Sequence, residues 1–441
     1  MMKLVKQLEG FLQRAKKAPL NDELRIRDWR FMVQEARLIS LGIKENSPGS
    51  VYTPPSSRQG ESGEVYIIWE DGRLTQAQVQ TPPPHEGNAY WQSQLEEWRQ
   101  AAYEDPGGAD IPAPEPLPLV TVEDRGIERI LAGEDGILFE QLAKLLGDIP
   151  SGIHLNAGIQ ASWGYRHNRN SHGLAVSHQQ SQYALSYSFD SLVGAGFAKR
   201  RLIRPEEWEI LWQRTLGYYE ALQKESSGIN AQTAVVFSPS VVGELLGQFI
   251  YPNLVGQTIL EGQSAFKVED FKNHQLVFHE DLSLFVDPLR PLEWSSYLLT
   301  SEGVPAKQTV LIQRGSLQSP ILRMKDAKAW GAPPTGISYG TSGLYLKSAQ
   351  EKPWEEVLEG IEDGILILSV LGMHTQNSVS GDYSLSAPQS LRILKGKIVG
   401  KRDVKINGNF FRDLAGAETV LGKAEIELKP YLVVKTGVQN S

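Results

Sequence analysis

Apolar residues recur at helical spacing over Lys3–Lys17, where Leu4, Leu8, Phe11 and Leu12 fall on one side and basic residues on the other. The spacing predicts an amphipathic helix with a solvated basic face; contact of that face with anionic lipid is the alternative. A second helix is predicted over 23–41. Residues 47–63 are rich in Ser, Pro and Gly and read as loop. Asp71-Gly72 separates two β-rich runs, 64–70 and 73–80, and marks a tight hairpin because both turn positions need positive φ. Pro106, Pro112, Pro114, Pro116 and Pro118, with Gly107 and Gly108, exclude helix and central strand from 105–118. That stretch reads as a linker and boundary.

Beyond it, helices are predicted near 122–132 and 138–146, and 153–189 reads as several strands. The clearest helix starts at Pro205 with Glu206 and Glu207 at its positive end. Its stripe is Trp208, Leu211, Trp212, Thr215, Tyr219 and Leu222. Residues 226–230 form a second boundary. The remainder is β-like apart from a helix over 239–249, capped by Ser238, and one over 353–362 that Gly364 ends. Residues 365–370 read as a buried strand. The fold class is therefore α+β: residues 1–118 as a divergent N-terminal region, 119–225 as an α/β region with sheet and flanking helices, and 226–441 as a β-rich C-terminal domain.

Charge and composition narrow the function. The 441 residues include 44 Lys and Arg against 52 Asp and Glu, a net charge of −8. The acidic balance argues against a nucleic-acid backbone as partner. The longest apolar run is far short of the roughly 20 residues a membrane span needs, and the N-terminus lacks an apolar targeting segment. A cytoplasmic protein with no membrane partner is expected. The chain has no cysteine, which removes disulfides, thiolate metal sites and cysteine nucleophiles.

Metal ligands would have to come from carboxylates and eight histidines: His85, His154, His167, His172, His178, His274, His279 and His374. No HExxH occurs. His274 and His279, followed by Glu280 and Asp281, are five apart in a strand-like run, which sends them to opposite faces. The spacing of His167, His172 and His178 favours hydrogen-bonding or surface roles. Gly336-Ile337-Ser338-Tyr339-Gly340 matches G-x-S-x-G, but it leads from Pro333-Pro334 into a short strand, not from a strand into a helix as a nucleophile elbow requires.

Five elements in the C-terminal two thirds occur in the order of a known family. Asn170-Ser171-His172-Gly173 is similar to its N-S-x-G, and Gly262-Gln263-Ser264-Ala265-Phe266 to its G-x-S-x-F. Glu302-Gly303-Val304-Pro305, with Thr309 to Gln313 and Gly315-Ser316-Leu317, resembles its EG-x-P stretch. Val379-Ser380-Gly381-Asp382-Tyr383-Ser384 resembles TGDYS, and Ile406-Asn407-Gly408-Asn409-Phe410 with Asp413-Leu414 its closing element. The chain thus resembles the TldD/PmbA proteins, the microcin-processing peptidase-like family.

The resemblance implies proteolysis of small unfolded peptides in a closed chamber. TldD-type chains carry H-E-x-x-x-H on the helix opening this half, and a later Cys. The corresponding helix here has no His, and Glu244 is its only acidic residue. The sequence is therefore similar to the PmbA (TldE) type, with no metal or cofactor of its own and zinc expected only in a TldD-like partner. The implied assembly is a heterodimer with that partner, or a homodimer. No residue is assigned a catalytic role. Candidate chamber residues are Ser264, Glu302, Gly303, His374, Asn377, Gly381 and Asp382; turn chemistry is the alternative for Ser264, Gly381 and Asp382. Two other functions compete: an autonomous hydrolase with a metal on His274, His279, Glu280 or His374, and a non-catalytic peptide-binding scaffold.

Overall fold

The computed structural model describes residues 3–50, 54–83, 87–105, 107–108, 110–230, 232–338, 340 and 343–440; His85 and Tyr339 lie outside them. The N-terminal half is built on one antiparallel sheet. Its strands are β1 (Ile26–Lys44), β2 (Ser47–Pro48), β3 (Ser56–Trp69), β4 (Leu74–Val79), β5 (Leu155–Asn170), β6 (Ala175–Phe189) and β7 (Val193–Lys199). They lie in the order β4-β3-β1-β5-β6-β7, with β2 folded back on the end of β1.

Apart from Ile26 with Trp69 at a register shift, every pairing on this path sets odd-numbered residues beside odd-numbered ones, as in Trp29 with Ile67, Leu41 with Ile159, and Ile159 with Leu185. Side chains alternate across a strand, so the odd positions share one face. Toward both ends of the sheet that face is apolar and carries the helices. At one end α1 (Lys3–Lys17) and α2 (Gly87–Gln100) pack Leu8, Phe11, Trp91 and Trp98 onto Trp29, Phe31, Val65 and Ile67. At the other end α3 (Arg125–Leu131), α4 (Gly136–Asp148) and α5 (Pro205–Leu222) pack Ile127, Leu142, Trp208 and Trp212 onto Ile159, Leu185 and Phe189. The even face is polar: Arg30, Gln34, Glu64, Arg166, Asn168, His178, Ser186 and Ser188.

Three expectations change here. The helix predicted over 23–41 is the 19-residue strand β1. Trp29, Phe31 and Val33 alternate with Arg30, Met32 and Gln34, and this period of two decides the matter once β3 and β5 flank it. The loop expected over 47–63 is strand from Ser56 onward, where Ser40 pairs with Ser56. Among the described residues the linker at 105–118 is free of helix and strand, but strands from both sides of it share one sheet, so position 118 does not divide two sheets. The Asp71-Gly72 hairpin forms between β3 and β4, and Gly72 has φ +85°.

After residue 230 the chain enters two further sheets. Strand β8 (Ala234–Phe237) lies parallel to Asp363–Leu371 and antiparallel to Tyr431–Val434 at the centre of a nine-stranded sheet. A four-stranded sheet orders Ser316–Leu317, Thr309–Gln313, Leu282–Val286 and Leu344–Ser348. Between these sheets sits the helical segment predicted over 239–249, whose Val241, Val242, Leu245, Leu246 and Phe249 are fully buried. It is α6 (Pro239–Leu245), a π turn over Leu246–Ile250, and α7 (Tyr251–Leu254). The π turn has a local cause: Pro252 has no N–H for the Gln248 carbonyl four residues back, and the Tyr251 N–H bonds Leu246 instead. No helix among the described residues is long and apolar enough to cross a membrane.

Candidate functional site

The β6–β7 edge of the N-terminal sheet is the floor of a cavity of about 1000 Å³ roofed by the C-terminal half. Ser186 and Ser188 of β6 pair with Gly196 and Gly194 of β7, and all four line it. Small side chains keep the floor low. At Gly194 they are obligatory, since a Cβ would lie 2.2 Å from the Tyr187 carbonyl. Arg214 and Tyr218 of α5 form one wall. Ser240, Gly243, Glu244 and Gly247, on α6 and the π turn that follows, form another; Ser369, Gln389, Glu427 and Lys429 close the top.

The charges here are paired across long stretches of sequence. The Arg214 guanidinium grips Glu427 with both terminal nitrogens, one at 3.1 Å. Burial opposes the Arg214 charge, but Glu427 more than offsets this and holds Arg214 above its ordinary pKa. The Tyr218 and Tyr431 hydroxyls are 3.0 Å apart. Lys429 donates to the Leu344 carbonyl at 2.6 Å, and burial pulls its pKa down to about 8. An amine titrating there can exchange a proton near neutral pH. The Glu244 carboxyl is raised by desolvation, partly offset by the charge of nearby His374. None of this was foreseen from sequence: Arg214, Glu427 and Lys429 carry no motif.

The predicted chamber residues fall into two groups, and none of them lines this cavity. Ser264, His374, Asn377, Gly381 and Asp382 gather around the α6–α7 segment. Gln248 donates to the Gln376 carbonyl at 2.9 Å, and Asn253 donates to Ser378 at 2.8 Å while accepting from Ala265 N–H at 2.6 Å. Within this group the side chains build turns. Ser264 Oγ donates to the Asn253 carbonyl and accepts from Phe266 N–H. Asn377 accepts from Val379 and Ser380 N–H groups. Gly381 has φ +74°, and a Cβ would sit 2.4 Å from the Phe411 ring. Asp382 is fully exposed and accepts from Asn409 at 2.8 Å; hydrogen bonds from Asn409 and Ser380 lower its pKa. His374 is exposed and beside Glu244.

Glu302 and Gly303 lie elsewhere, against the N-terminal sheet. Glu302 accepts from Met324 N–H at 3.0 Å and faces Arg30 of β1. Gly303, at φ +91°, packs on Leu174 and Pro112. The Asn170-Ser171-His172-Gly173 turn is structural too: Asn170 accepts from His172 and Leu174 N–H groups, and Ser171 and His172 both bond Asp28. Nor do the rival metal residues converge. His274 donates to the Leu317 carbonyl, while His279 accepts from Asp281 N–H. Residues 275–278, read as strand, make one isolated bridge at Leu276. Ser338 sits in a loop, its N–H bonded to the Tyr297 hydroxyl.

Comparison with known proteins places this architecture. Residues 230–437 match the family described as the PmbA/TldA metallopeptidase C-terminal domain. Over those residues the chain matches the TldD/PmbA family. Among similar proteins, a metalloprotease of Methanothermobacter thermautotrophicus is 26% identical over 235 residues, covering 50% of this chain and 49% of the relative. An uncharacterised protein of Methanocaldococcus jannaschii is 25% identical over 267 residues, covering 59% of this chain and 62% of the other. The matched region thus spans about half to three fifths of these relatives. The crystal structure of TldE from Thermococcus kodakarensis has the same fold, with a TM-score of 0.81 at 19% identity over 99% of this chain and 100% of that one. The α+β reading holds over the whole TldD/PmbA fold.

Proposed function

We propose that this chain is a PmbA/TldE-like subunit of a metallopeptidase-type assembly that processes small unfolded peptides. It lacks the metal motif and works with a zinc-bearing TldD-like partner. One observation carries this reading. The α6 segment beside the large cavity contains Gly243-Glu244-Leu245-Leu246-Gly247-Gln248. If Glu244 stands for the acid of H-E-x-x-x-H, glycine and glutamine occupy the two histidine positions. Glycine offers no donor, and the Gln248 amide is already bonded to Gln376. The chain has no thiolate, and no three His, Cys, Asp or Glu side chains cluster among the described residues. That donor set does not fit a tetrahedral zinc site, which takes three or four nitrogen, sulfur or carboxylate ligands. The polar cavity, floored by a sheet and lined by Ser, Gly and paired charges, suits an extended peptide backbone.

The test is direct. Elemental analysis of the purified chain should find no stoichiometric zinc. Mixed with a TldD-like protein from the same source, it should support chelator-sensitive cleavage of an unstructured peptide that it does not cleave alone. His374→Ala, beside Glu244, should weaken that cleavage without splitting the pair. About one zinc per chain, lost on mutating His274 or His279, would restore the autonomous-hydrolase reading. Peptide binding with no cleavage in any pairing would favour the scaffold.

A further inference from the structure

A second cavity, of about 380 Å³, opens onto the same even face of the N-terminal sheet, at its other end. Its floor is Arg30 of β1 with Glu64 and Tyr66 of β3. One wall is Asp105, Gly108 and Asp110 of the Pro-rich connection, and another is the start of the helix Met324–Trp330 with Glu302 beside it. The wall is built to fit. The Tyr66 hydroxyl donates to the Gly108 carbonyl at 2.7 Å, and a Cβ at Gly108 would lie 2.9 Å from both Asp105 and Leu74. Lys325 ties the connection to the C-terminal half through Asp105 at 3.0 Å.

Arg30 is the unusual group. Its guanidinium carbon lies 4.2 Å from the centre of the Tyr66 ring. Its Nη1 is buried with no hydrogen-bond partner among the described residues, and is 3.9 Å from Glu302 Oε1, too far for a hydrogen bond. A buried guanidinium donor left open costs far more than an exposed one, so an acceptor oxygen is strongly favoured there. The other two cations of the lining are engaged: Lys325 with Asp105, and Arg323 with Gln257 at 2.7 Å. A plain anion does not suit the site as a whole. Its three cations face four carboxylates, Glu64, Asp105, Asp110 and Glu302, so the lining carries one negative charge in excess. The ligand that satisfies both conditions has a carboxylate for Arg30 and a cationic group for Glu64 and Glu302.

We propose that this cavity is a binding site for a small zwitterion, a free α-amino acid or a dipeptide, held by its carboxylate on Arg30. The volume lies within the range of small-molecule sites, near the lower end. The site is separate from the α6 cavity, and neither a partner subunit nor cleavage is needed to test it.

The experiment is calorimetric titration of the full chain with alanine, with alanyl-alanine, and with the dipeptide N-acetylated and C-amidated. The expected result is binding of at least one of the two zwitterions, and at least tenfold weaker binding of the blocked form. Glu64→Gln should weaken zwitterion binding roughly tenfold, the scale of one charge-assisted hydrogen bond. Arg30→Gln should abolish it; if that variant does not fold, Arg30→Lys, which loses the fork but keeps the charge, should weaken it instead. Melting curves establish that each variant is folded. Equal binding of the blocked dipeptide would overturn the proposal. So would Arg30-dependent binding of inorganic phosphate without zwitterion binding, or no binding of any probe by the folded chain.

Discussion

Asp413 shows how a single buried group can set the chain's response to pH. It is 7% exposed, and burial raises its carboxyl to about 6 although the Tyr383 hydroxyl donates to it at 2.7 Å. In the unfolded chain an aspartate titrates near 3.8. Between those values the folded state holds the proton and the unfolded state releases it. Stability from this group is therefore fully present below about 3.8, declines as pH rises through 6, and stays lower above it. Asp413→Asn removes the titration and keeps a similar shape. The variant should match the parent in urea unfolding at pH 4 and exceed it by about 1–3 kcal/mol at pH 7. A parent-minus-variant difference that is flat with pH would refute the assignment. Carboxylates with lowered pKa, such as Asp363 on Arg392, act in the opposite direction and cancel in that difference.

At the scale of elements, the joint between α7 and the 372–382 loop rests on Asn253. Its side chain is 1% exposed and bonds three backbone groups, at Phe249, Ala265 and Ser378. Asn253→Ala would leave the Ala265 N–H without this acceptor and two carbonyls without this donor. We expect a loss of about 2–3 kcal/mol in denaturant unfolding. Amide exchange should quicken at Ala265 while β1 and β5 keep their protection. Uniform acceleration across the chain would mean that the joint is not a local unit. Helix starts rest on shorter-range bonds. Asp124 caps α3 by accepting from Gly126 at 2.7 Å, and Glu207 folds back on the Arg204 N–H at 3.0 Å to open α5. Both follow rules confined to four residues.

For the whole molecule, both polar cavities lie between the N-terminal sheet and the C-terminal half. The assembly proposed above should bury an interface of more than roughly 2,000 Å². Light scattering at micromolar concentration should therefore report a dimer, of this chain or with a TldD-like partner. A strict monomer with no co-purifying partner would count against it. Occlusion gives a second check. Ser240 is an exposed position of α6 lining the large cavity. Ser240→Trp should reduce peptide processing by the assembled pair at least tenfold and leave the melting temperature of the chain within a few degrees. Undiminished cleavage would move the proposed peptide path out of this cavity.

Much of this protein was legible in the chain itself. Turn residues and short-range spacing located α1, α3, α4, α5, the Asp71-Gly72 hairpin and the strand after Gly364, because each depends on contacts a few residues apart. Ordered motifs pointed to the family that residues 230–437 match. The 19-residue β1 was not legible as read, because its period of two competes with helix-compatible composition until β3 and β5 supply hydrogen-bond partners on both sides. The functional surfaces were less legible still. Arg214 meets Glu427 across 213 positions, and Arg30 faces Glu302 from another half of the chain. Ser264, Asn377 and Gly381, conspicuous as motif residues, are held in turns by their own backbone neighbours. Which polar groups share a cavity follows from strand register and from the C-terminal half settling over one sheet face. These are long-range packing outcomes, and no local spacing in the sequence encodes them.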